Sequence, residues 1–251
     1  MNKQEVINII NWIKNYFKEN SFAKGAVVGM SGGKDSFVTA KLCIEALGKE
    51  NVLGVILPIG DMNDYEDAVK SCEYLQIKHT TINIANCYND VLNNIKPFLN
   101  ENNITLNSIS TINTAPRLRM TTLYALAGSL NYLVANTSNL SEAEVGYTTK
   151  WGDNVGDFAP IANFTKTEVC EIGLLLGLPQ NLVNKIPSDG LSGKSDEDKL
   201  GFSYNELDSY IRDGVTDSNF DLILQKHKSS THKRLGAIKY TNNKKNHFTN
   251  I

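Results

Sequence analysis

Ser31-Gly32-Gly33-Lys34-Asp35-Ser36 joins the apolar run Gly25-Ala-Val-Val-Gly-Met30 to Phe37-Val-Thr-Ala-Lys-Leu-Cys-Ile-Glu-Ala-Leu47. The run before it has the character of a buried parallel strand. The segment after it has that of a helix with Phe37, Ala40, Leu42, Ile44 and Leu47 turned inward. Two glycines at a strand–helix junction let the backbone come close to an anion, and the helix N-terminus adds unpaired N–H groups and partial positive charge. Ser31, Lys34 and Ser36 contribute further donors, and Asp35 is a carboxylate within reach of a cation that phosphates bring with them. The stretch predicts a phosphate-holding loop with a metal ligand built in. An ordinary serine-capped glycine turn would need only part of this pattern. A Walker A loop does not fit. Asp35 stands where that loop needs Ser or Thr, and Val28 where it needs its first glycine.

Working outward, Val6, Ile9, Ile10, Ile13, Tyr16 and Phe17 recur at helical spacing and predict an amphipathic helix over residues 3–20. Val52 to Pro58 reads as a second buried strand, 64–75 as a helix, 78–84 as a third strand, and 86–99 as a helix with Pro97 near its end. Residues 100–107 are polar and read as loop. A longer helix is expected over 117–130, with Pro116 in its first turn and Leu118, Leu123, Leu126 and Leu130 as core. Asn131 to Ala135 reads as a fourth strand leading into Asn136-Thr-Ser-Asn139. A helix over 165–176 opens on a Thr165/Glu168 capping-box spacing. Residues 203–212 and 220–225 also look helical. Pro187 to Lys199 is the most polar stretch, read as a mobile loop or a lid over a nucleotide. The tail 242–251 reads as frayed.

Strands alternating with helices predict an α/β fold, a doubly wound parallel sheet flanked by helices in the Rossmann-like manner. In such a sheet the ligand lies beyond the carboxyl ends of the strands, where their order reverses. If the first and fourth strands are neighbours, the loops 31–36 and 136–139 line one crevice. No repeat or strong linker interrupts residues 1–251, so a single domain is expected.

The bulk numbers narrow the class. At 251 residues, with 41% hydrophobic and 21% charged residues, the chain can bury a sizeable core. A net charge of −2 argues against a nucleic-acid binder held by bulk charge, so phosphate groups must be gripped locally. Cys43, Cys72, Cys87 and Cys170 form no Cys-x-x-Cys pair and read mainly as reduced core residues. With no export signal and no long apolar run, a cytoplasmic location and no membrane partner are expected.

Ser-Gly-Gly-x-Asp-Ser after a first strand resembles the pyrophosphate-binding loop of the ATP pyrophosphatases, the adenine nucleotide alpha hydrolase-like superfamily. That loop does not choose among its members. A second constellation does. Asn136-Thr-Ser-Asn-Leu-Ser-Glu142-Ala-Glu144-Val-Gly146-Tyr147-Thr-Thr-Lys150-Trp-Gly-Asp153 is similar to the corresponding region of NAD synthetases. In that family a Glu lies eight residues before the lysine of Thr-Lys-aromatic-Gly-Asp, which selects Glu142, with Glu144 a nearby alternative. Asn113 with Arg117-x-Arg119 and Tyr124, Phe164-Thr-Lys166, Pro187-Ser188, Asp196-Glu-x-x-Leu200-Gly-x-x-Tyr204 and His232-Lys-Arg234 fit the same pattern. The resemblance covers most of residues 25–235. One departure is Ile56, where some relatives place an arginine; Lys34 stands where Gln or a small residue is often seen.

The resemblance implies an ATP-dependent ligase that amidates nicotinic acid adenine dinucleotide (deamido-NAD) with ammonia, through an acyl adenylate, giving NAD⁺, AMP and pyrophosphate. It implies Mg²⁺ on Asp35 and Glu142, and ATP on Ser31, Gly32, Gly33, Lys34, Asp35, Ser36, Thr137, Lys166 and Ser188. Asn113, Arg117, Tyr147, Lys150, Asp153, Asp157, His232 and Lys233 would hold the dinucleotide, with Asp153 or Asp157 attracting ammonium. The expected catalytic set is Asp35, Glu142, Lys166 and Asp153. It also implies a homodimer sharing the dinucleotide site, with no nucleic-acid partner. From the length, no glutaminase domain is expected, and free ammonia would be the donor. Two rivals stay open: a tRNA-thiolating relative, which would want a cysteine pair and a basic face, and an ATP sensor without chemistry.

Overall fold

A computed structural model of the chain describes residues 1–60, 64–183 and 195–240. Helix α1 (Lys3–Glu19) is capped by Asn2, whose side chain accepts from Glu5 N, and buries Val6, Ile9, Ile13 and Phe17. Each such side chain contributes roughly 1.5–3 kcal/mol on burial. Strand β1 (Gly25–Gly29) leads through the Ser31–Ser36 loop into α2 (Lys34–Leu47). Then follow β2 (Val52–Ile56), α3 (Tyr65–Leu75), β3 (Lys78–Thr81), α4 (Ala85–Glu101), α5 (Ser108–Leu130) and β4 (Tyr132–Ala135).

The sheet is parallel with order β3-β2-β1-β4. From β1 the chain builds outward through β2 to β3, then returns through α5 to place β4 on the other side of β1. The order therefore reverses between β1 and β4, the point at which the expected crevice opens. Alternation along the strands divides the core. Ala26 and Val28 join Val6, Ile13, Phe37, Cys72 and Ile172 on one face, while Val27, Val55 and Val134 meet Ala127 and the leucines of α5 on the other. Helices on both faces make the sheet doubly wound, as the alternating pattern predicts.

The C-terminal part is a set of short helices: α6 (Leu140–Val145), α7 (Lys166–Leu175), α8 (Gln180–Val183), α9 (Asp196–Leu200), α10 (Tyr204–Asp213), α11 (Phe220–Ser229) and α12 (Thr231–Arg234). Val145, Leu200, Phe202, Tyr204, Leu207 and Ile223 pack into a separate small core. This cluster leans on the sheet through α7, which packs against α2 and whose Val169 and Ile172 belong to the main core.

Several expectations need correction. Helix α5 begins at Ser108, with Asn107 accepting from Ser110 N at 2.8 Å, so Pro116 lies inside it rather than in its first turn. Its early turns carry Ile109 and Ile112, 69% and 60% exposed, and no buried face announces them as helix. Leu118, Leu123 and Leu126 pack on the core, but Leu130 is exposed. Asn131 is not strand; it closes α5 in the left-handed conformation (φ 54°). Glu142 lies in the first turn of α6, and residues 196–199 of the polar stretch belong to α9. Cys87 is exposed, not core, whereas burial pushes the Cys43 and Cys72 thiols up to about 12 and about 11. Ser188, the rest of the polar stretch over 187–194 and the tail lie outside the described residues.

After β4 the chain doubles back, and residues 156–158 run parallel beside it. Asp157 N donates to Val134 O at 2.8 Å and Asn136 N to Phe158 O at 2.8 Å. Gly156 permits this approach, since a Cβ there would sit 2.6 Å from Asn136 N. Gly156→Ala should cost about 2 kcal/mol in urea unfolding, the scale of overpacking against a backbone that cannot yield. A variant as stable as the parent would contradict the stated role of this contact.

Candidate functional site

The Ser31–Ser36 loop, the phosphate loop expected from the sequence, is held by its own serines. Ser36 Oγ donates to Gly33 O at 2.9 Å, Gly33 N donates to Ser31 Oγ at 3.2 Å, and the two serine oxygens lie 3.3 Å apart. Gly32 takes φ +81°, and a Cβ there would lie 2.6 Å from Asp64 O, so the loop presses on the start of α3 as only glycine can. Gly33 caps α2 without a side chain, leaving first-turn N–H groups for an incoming anion. Lys34 opens the helix beside them.

Across the β1/β4 crevice, Asn139 ends the second loop and organises the carboxylates. Its Oδ1 accepts from Glu142 N at 3.0 Å, completing a capping box on α6. Its Nδ2 donates to Asp35 Oδ1 at 3.1 Å, linking α6 to the phosphate loop. Asn139 is fully buried, so this bond is a fixed part of the frame. Thr137 sits half-buried between β4 and Asn139.

Lys166 projects into the same place from the first turn of α7. Its Nζ donates to Glu142 Oε1 at 2.9 Å and lies 3.8 Å from Asp35 Oδ2 and 3.7 Å from Asp196 Oδ2. It also stands over the Tyr204 ring, 4.3 Å from the centroid. The lysine is 3% exposed. Burial works against its charge, but Glu142 and Asp35 outweigh this and hold it well above the ordinary lysine range. Burial pushes the Glu142 carboxyl up to about 7; Lys166 opposes the rise and the like charge of Asp35 adds to it.

Asp35 and Glu142 thus share one cation, with oxygen donors only. Among the described residues no group of three or more His, Cys, Asp or Glu is arranged to hold a metal by itself. Two carboxylates facing a phosphate loop suit Mg²⁺, which takes one or two protein carboxylates and completes its shell from phosphates and water.

One buried carboxylate sets the spacing of this cluster. Asp208, on α10, accepts from Thr167 N at 2.9 Å and from the Ser141 hydroxyl, and Ser141 Oγ accepts from Lys166 N at 2.9 Å. Asp208 therefore ties α6, which carries Glu142, to α7, which carries Lys166. One turn on, Arg212 pairs with Glu168 at the surface of the same helix junction.

The remaining expected residues gather around the turn 146–154. Thr149 Oγ1 donates to Asn113 Oδ1 at 2.8 Å, Arg117 Nε to Lys150 O at 3.2 Å, and Lys150 Nζ to His232 O at 2.7 Å. Lys233 Nζ donates to Gly146 O and Thr148 O, both at 2.7 Å. Asp153 receives Thr149 N at 2.6 Å on Oδ1, while its carbonyl accepts from Asn136 Nδ2 and Ser138 Oγ, both at 3.1 Å. The turn is strained: Trp151 has φ +62° and is held there by Asn154, whose Oδ1 accepts from Trp151 N at 3.0 Å. Tyr147 bridges the two groups through its hydroxyl, which donates to Asp196 Oδ1 at 3.0 Å. Asp157 stands apart. Its oxygens accept from Val134 N at 2.7 Å and Tyr124 OH at 3.3 Å, so its carboxylate closes the sheet edge.

Sequence reasoning assigned no role to Asn139, Ser141, Asp196, Tyr204 or Asp208. The Asn139-x-x-Glu142 capping box was a readable signal. Asp208 had none, since a helical aspartate beside polar neighbours looks solvated. Asp208→Ala should cost about 3 kcal/mol in urea unfolding, because it leaves the buried Ser141 hydroxyl and the part-buried Thr167 N–H without their acceptor. Arg212→Ala breaks a half-exposed pair and should cost less than about 1 kcal/mol. Equal losses would contradict the assignment.

The NAD synthase family model matches residues 5–248. The NH(3)-dependent NAD(+) synthetase of Carboxydothermus hydrogenoformans is 39% identical over 235 residues, covering 92% of this chain and 95% of that one. The structure of NMN synthetase from Francisella tularensis superposes with a TM-score of 0.86 at 34% identity, covering 96% of this chain and 100% of that one. The NH3-dependent NAD synthetase of Campylobacter jejuni gives 0.76 at 27% identity, with 96% and 100% covered. With its phosphate loop, carboxylate pair and buried lysine meeting at the β1/β4 switch point, the chain belongs to the NAD synthase family.

Proposed function

We propose that this chain catalyses the ATP-dependent amidation of deamido-NAD with ammonia to give NAD⁺, AMP and pyrophosphate. The observation that carries the reading is the Lys166 cluster: one cation, Asp35 and Glu142 beside a glycine loop at a helix N-terminus. The substrate carboxylate cannot expel its own oxygen to ammonia. Its oxygen attacks the α-phosphorus of ATP, the bond to the β-phosphate breaks, and pyrophosphate leaves with the negative charge. Ammonia then adds to the acyl carbon, AMP leaves, and one proton is lost.

Loop N–H groups, Ser31, Ser36, Lys34 and Lys166 would stabilise the charge on pyrophosphate, with Thr137 and Ser188 also at the nucleotide. Asp35 and Glu142 would hold Mg²⁺, which screens the phosphates when bound. Asn113, Arg117, Tyr147, Lys150, His232 and Lys233 would hold the second substrate. Asp153 is the exposed carboxylate on that side and the better base for ammonium; Asp157 is engaged in the sheet. No enzyme nucleophile is required, so catalysis is positioning plus charge stabilisation.

A second reading concerns substrate size. The Francisella structure is that of an NMN synthetase and superposes at 0.86 against 0.76 for the Campylobacter NAD synthetase. This favours testing the nicotinic acid mononucleotide in parallel. No helix among the described residues is long and apolar enough to cross a membrane, and we take the location as cytoplasmic. We further take the chain as one synthetase domain acting as a homodimer. Val91, Ile95 and Phe98 on α4 and Ile109 and Ile112 on α5 are exposed apolar side chains that a second copy would cover.

Purified protein given Mg-ATP, ammonium and deamido-NAD should form NAD⁺ and AMP together, NAD⁺ being read through alcohol dehydrogenase. Glu142→Ala and removal of Mg²⁺ should each lower the rate by about a hundredfold or more. No NAD⁺ from folded protein, but turnover of the mononucleotide, would replace the first reading with the second. Phe98→Glu should turn a dimer into a monomer by light scattering; a monomeric wild type would dismiss the dimer.

A further inference from the structure

Tyr204 is the first residue of α10 and is held on all sides. Its N–H donates to Glu197 Oε1 at 2.8 Å, and Ser203 and Glu206 form a capping box around it. The ring packs with Val145, Leu200, Phe202 and Leu207 and carries the Lys166 ammonium on its face. The residue is 6% exposed. Yet the hydroxyl, itself buried, finds no acceptor for its proton among the described residues. A buried tyrosine ordinarily finds one, and an orphan of this kind is costly. The nearby lysine cannot relieve it, since an ammonium has donors only and the tyrosyl proton needs an acceptor. Burial pushes this phenol above the ordinary tyrosine range, so it remains a proton donor at neutral pH.

An acceptor that approaches Lys166 also approaches this hydroxyl. Asp35 and Glu142 keep side-chain exposures of 17% and 16% against 3% for Lys166, so the cluster opens on the side of the phosphate loop. A carboxylate of the protein would serve as acceptor, but Glu142 and Asp196 are spent on Lys166, Asn139 N and Tyr147. We propose that the Tyr204 hydroxyl donates a hydrogen bond to a non-bridging phosphate oxygen of ATP beside Lys166 and keeps that bond to pyrophosphate as it departs. The inference rests on the preceding reading that Lys166 meets the ATP phosphates. It makes Tyr204 a substrate-touching residue and accounts for a rigid ring bearing an unspent donor.

The test is Tyr204→Phe in the full chain, which keeps the ring, its packing and the cation–π contact and removes one oxygen. A merely structural tyrosine predicts a neutral or stabilising change, because a buried orphan has been deleted, with binding untouched. The proposal expects a melting temperature at or above that of the wild type together with affinity for Mg-pyrophosphate about tenfold weaker by calorimetry, the worth of one hydrogen bond to a charged acceptor. Unchanged affinity overturns it, as does a loss of affinity accompanied by a fall in melting temperature. Wild-type protein that binds no pyrophosphate overturns it too. Because pyrophosphate binding is read without turnover, absence of NAD⁺ formation would count against the synthetase reading and leave this measurement to judge the hydroxyl separately.

Discussion

A lysine ammonium almost entirely removed from water dictates much of this molecule. Lys166 can remain charged at that depth only if counter-charges come to it, since an unpaired buried ion costs several kcal/mol even after relaxation. They come from three parts of the chain: Asp35 from the phosphate loop, Glu142 from α6 and Asp196 from α9, with the Tyr204 face as a fourth partner. A lysine at a helix N-terminus is doubly awkward, because the helix dipole also opposes it there. That double cost is consistent with the role proposed for Lys166 at the phosphates of a bound nucleotide.

Holding such a cluster in register requires that its supports be stiffer than its members. The small core of Val145, Leu200, Phe202, Tyr204 and Leu207 does this on one side, and the sheet does it on the other. Asp208 and Asn139 are the joints between them. Each is buried, and each joins two elements at once: Asp208 joins α6 to α7, and Asn139 joins α6 to the phosphate loop. Arg234 adds a third joint. Its Nη1 donates to Ala143 O and Glu144 O at the end of α6, and its Nη2 to His227 O on α11 at 2.7 Å. Polar joints of this kind are costly when half-satisfied and specific when complete, so they set geometry rather than add bulk stability.

The turn at 146–154 obeys the same logic with backbone in place of charge. Gly146 ends α6 with φ +66°, where a Cβ would lie 2.1 Å from Ser230 Cβ. The close approach lets Lys233 reach two carbonyls of the turn and Lys150 reach back to His232. The C-terminal basic residues are thereby built into the wall of the site.

Much of this was legible in residue order alone. Periodicity located α1 and α2, and apolar runs located β1, β2 and β4, because a buried strand must be continuously apolar and a half-buried helix must repeat every three to four residues. The glycine loop was placed for a similar reason: two glycines between an apolar run and a helical one mark a strand–helix junction, and that is where it lies. Where the apolar pattern was absent, the reading failed. The early turns of α5 face outward, and α6 and α9 are too short to show a period. Tertiary structure alone decided that β4 lies beside β1 and so opposes Asp35 to Glu142, that Asp196 and Tyr204 complete the lysine's surroundings, and that Asp157 closes a sheet edge. These are contacts between residues tens of positions apart, and a side chain's partner across such a distance depends on how helices pack, which local spacing does not encode.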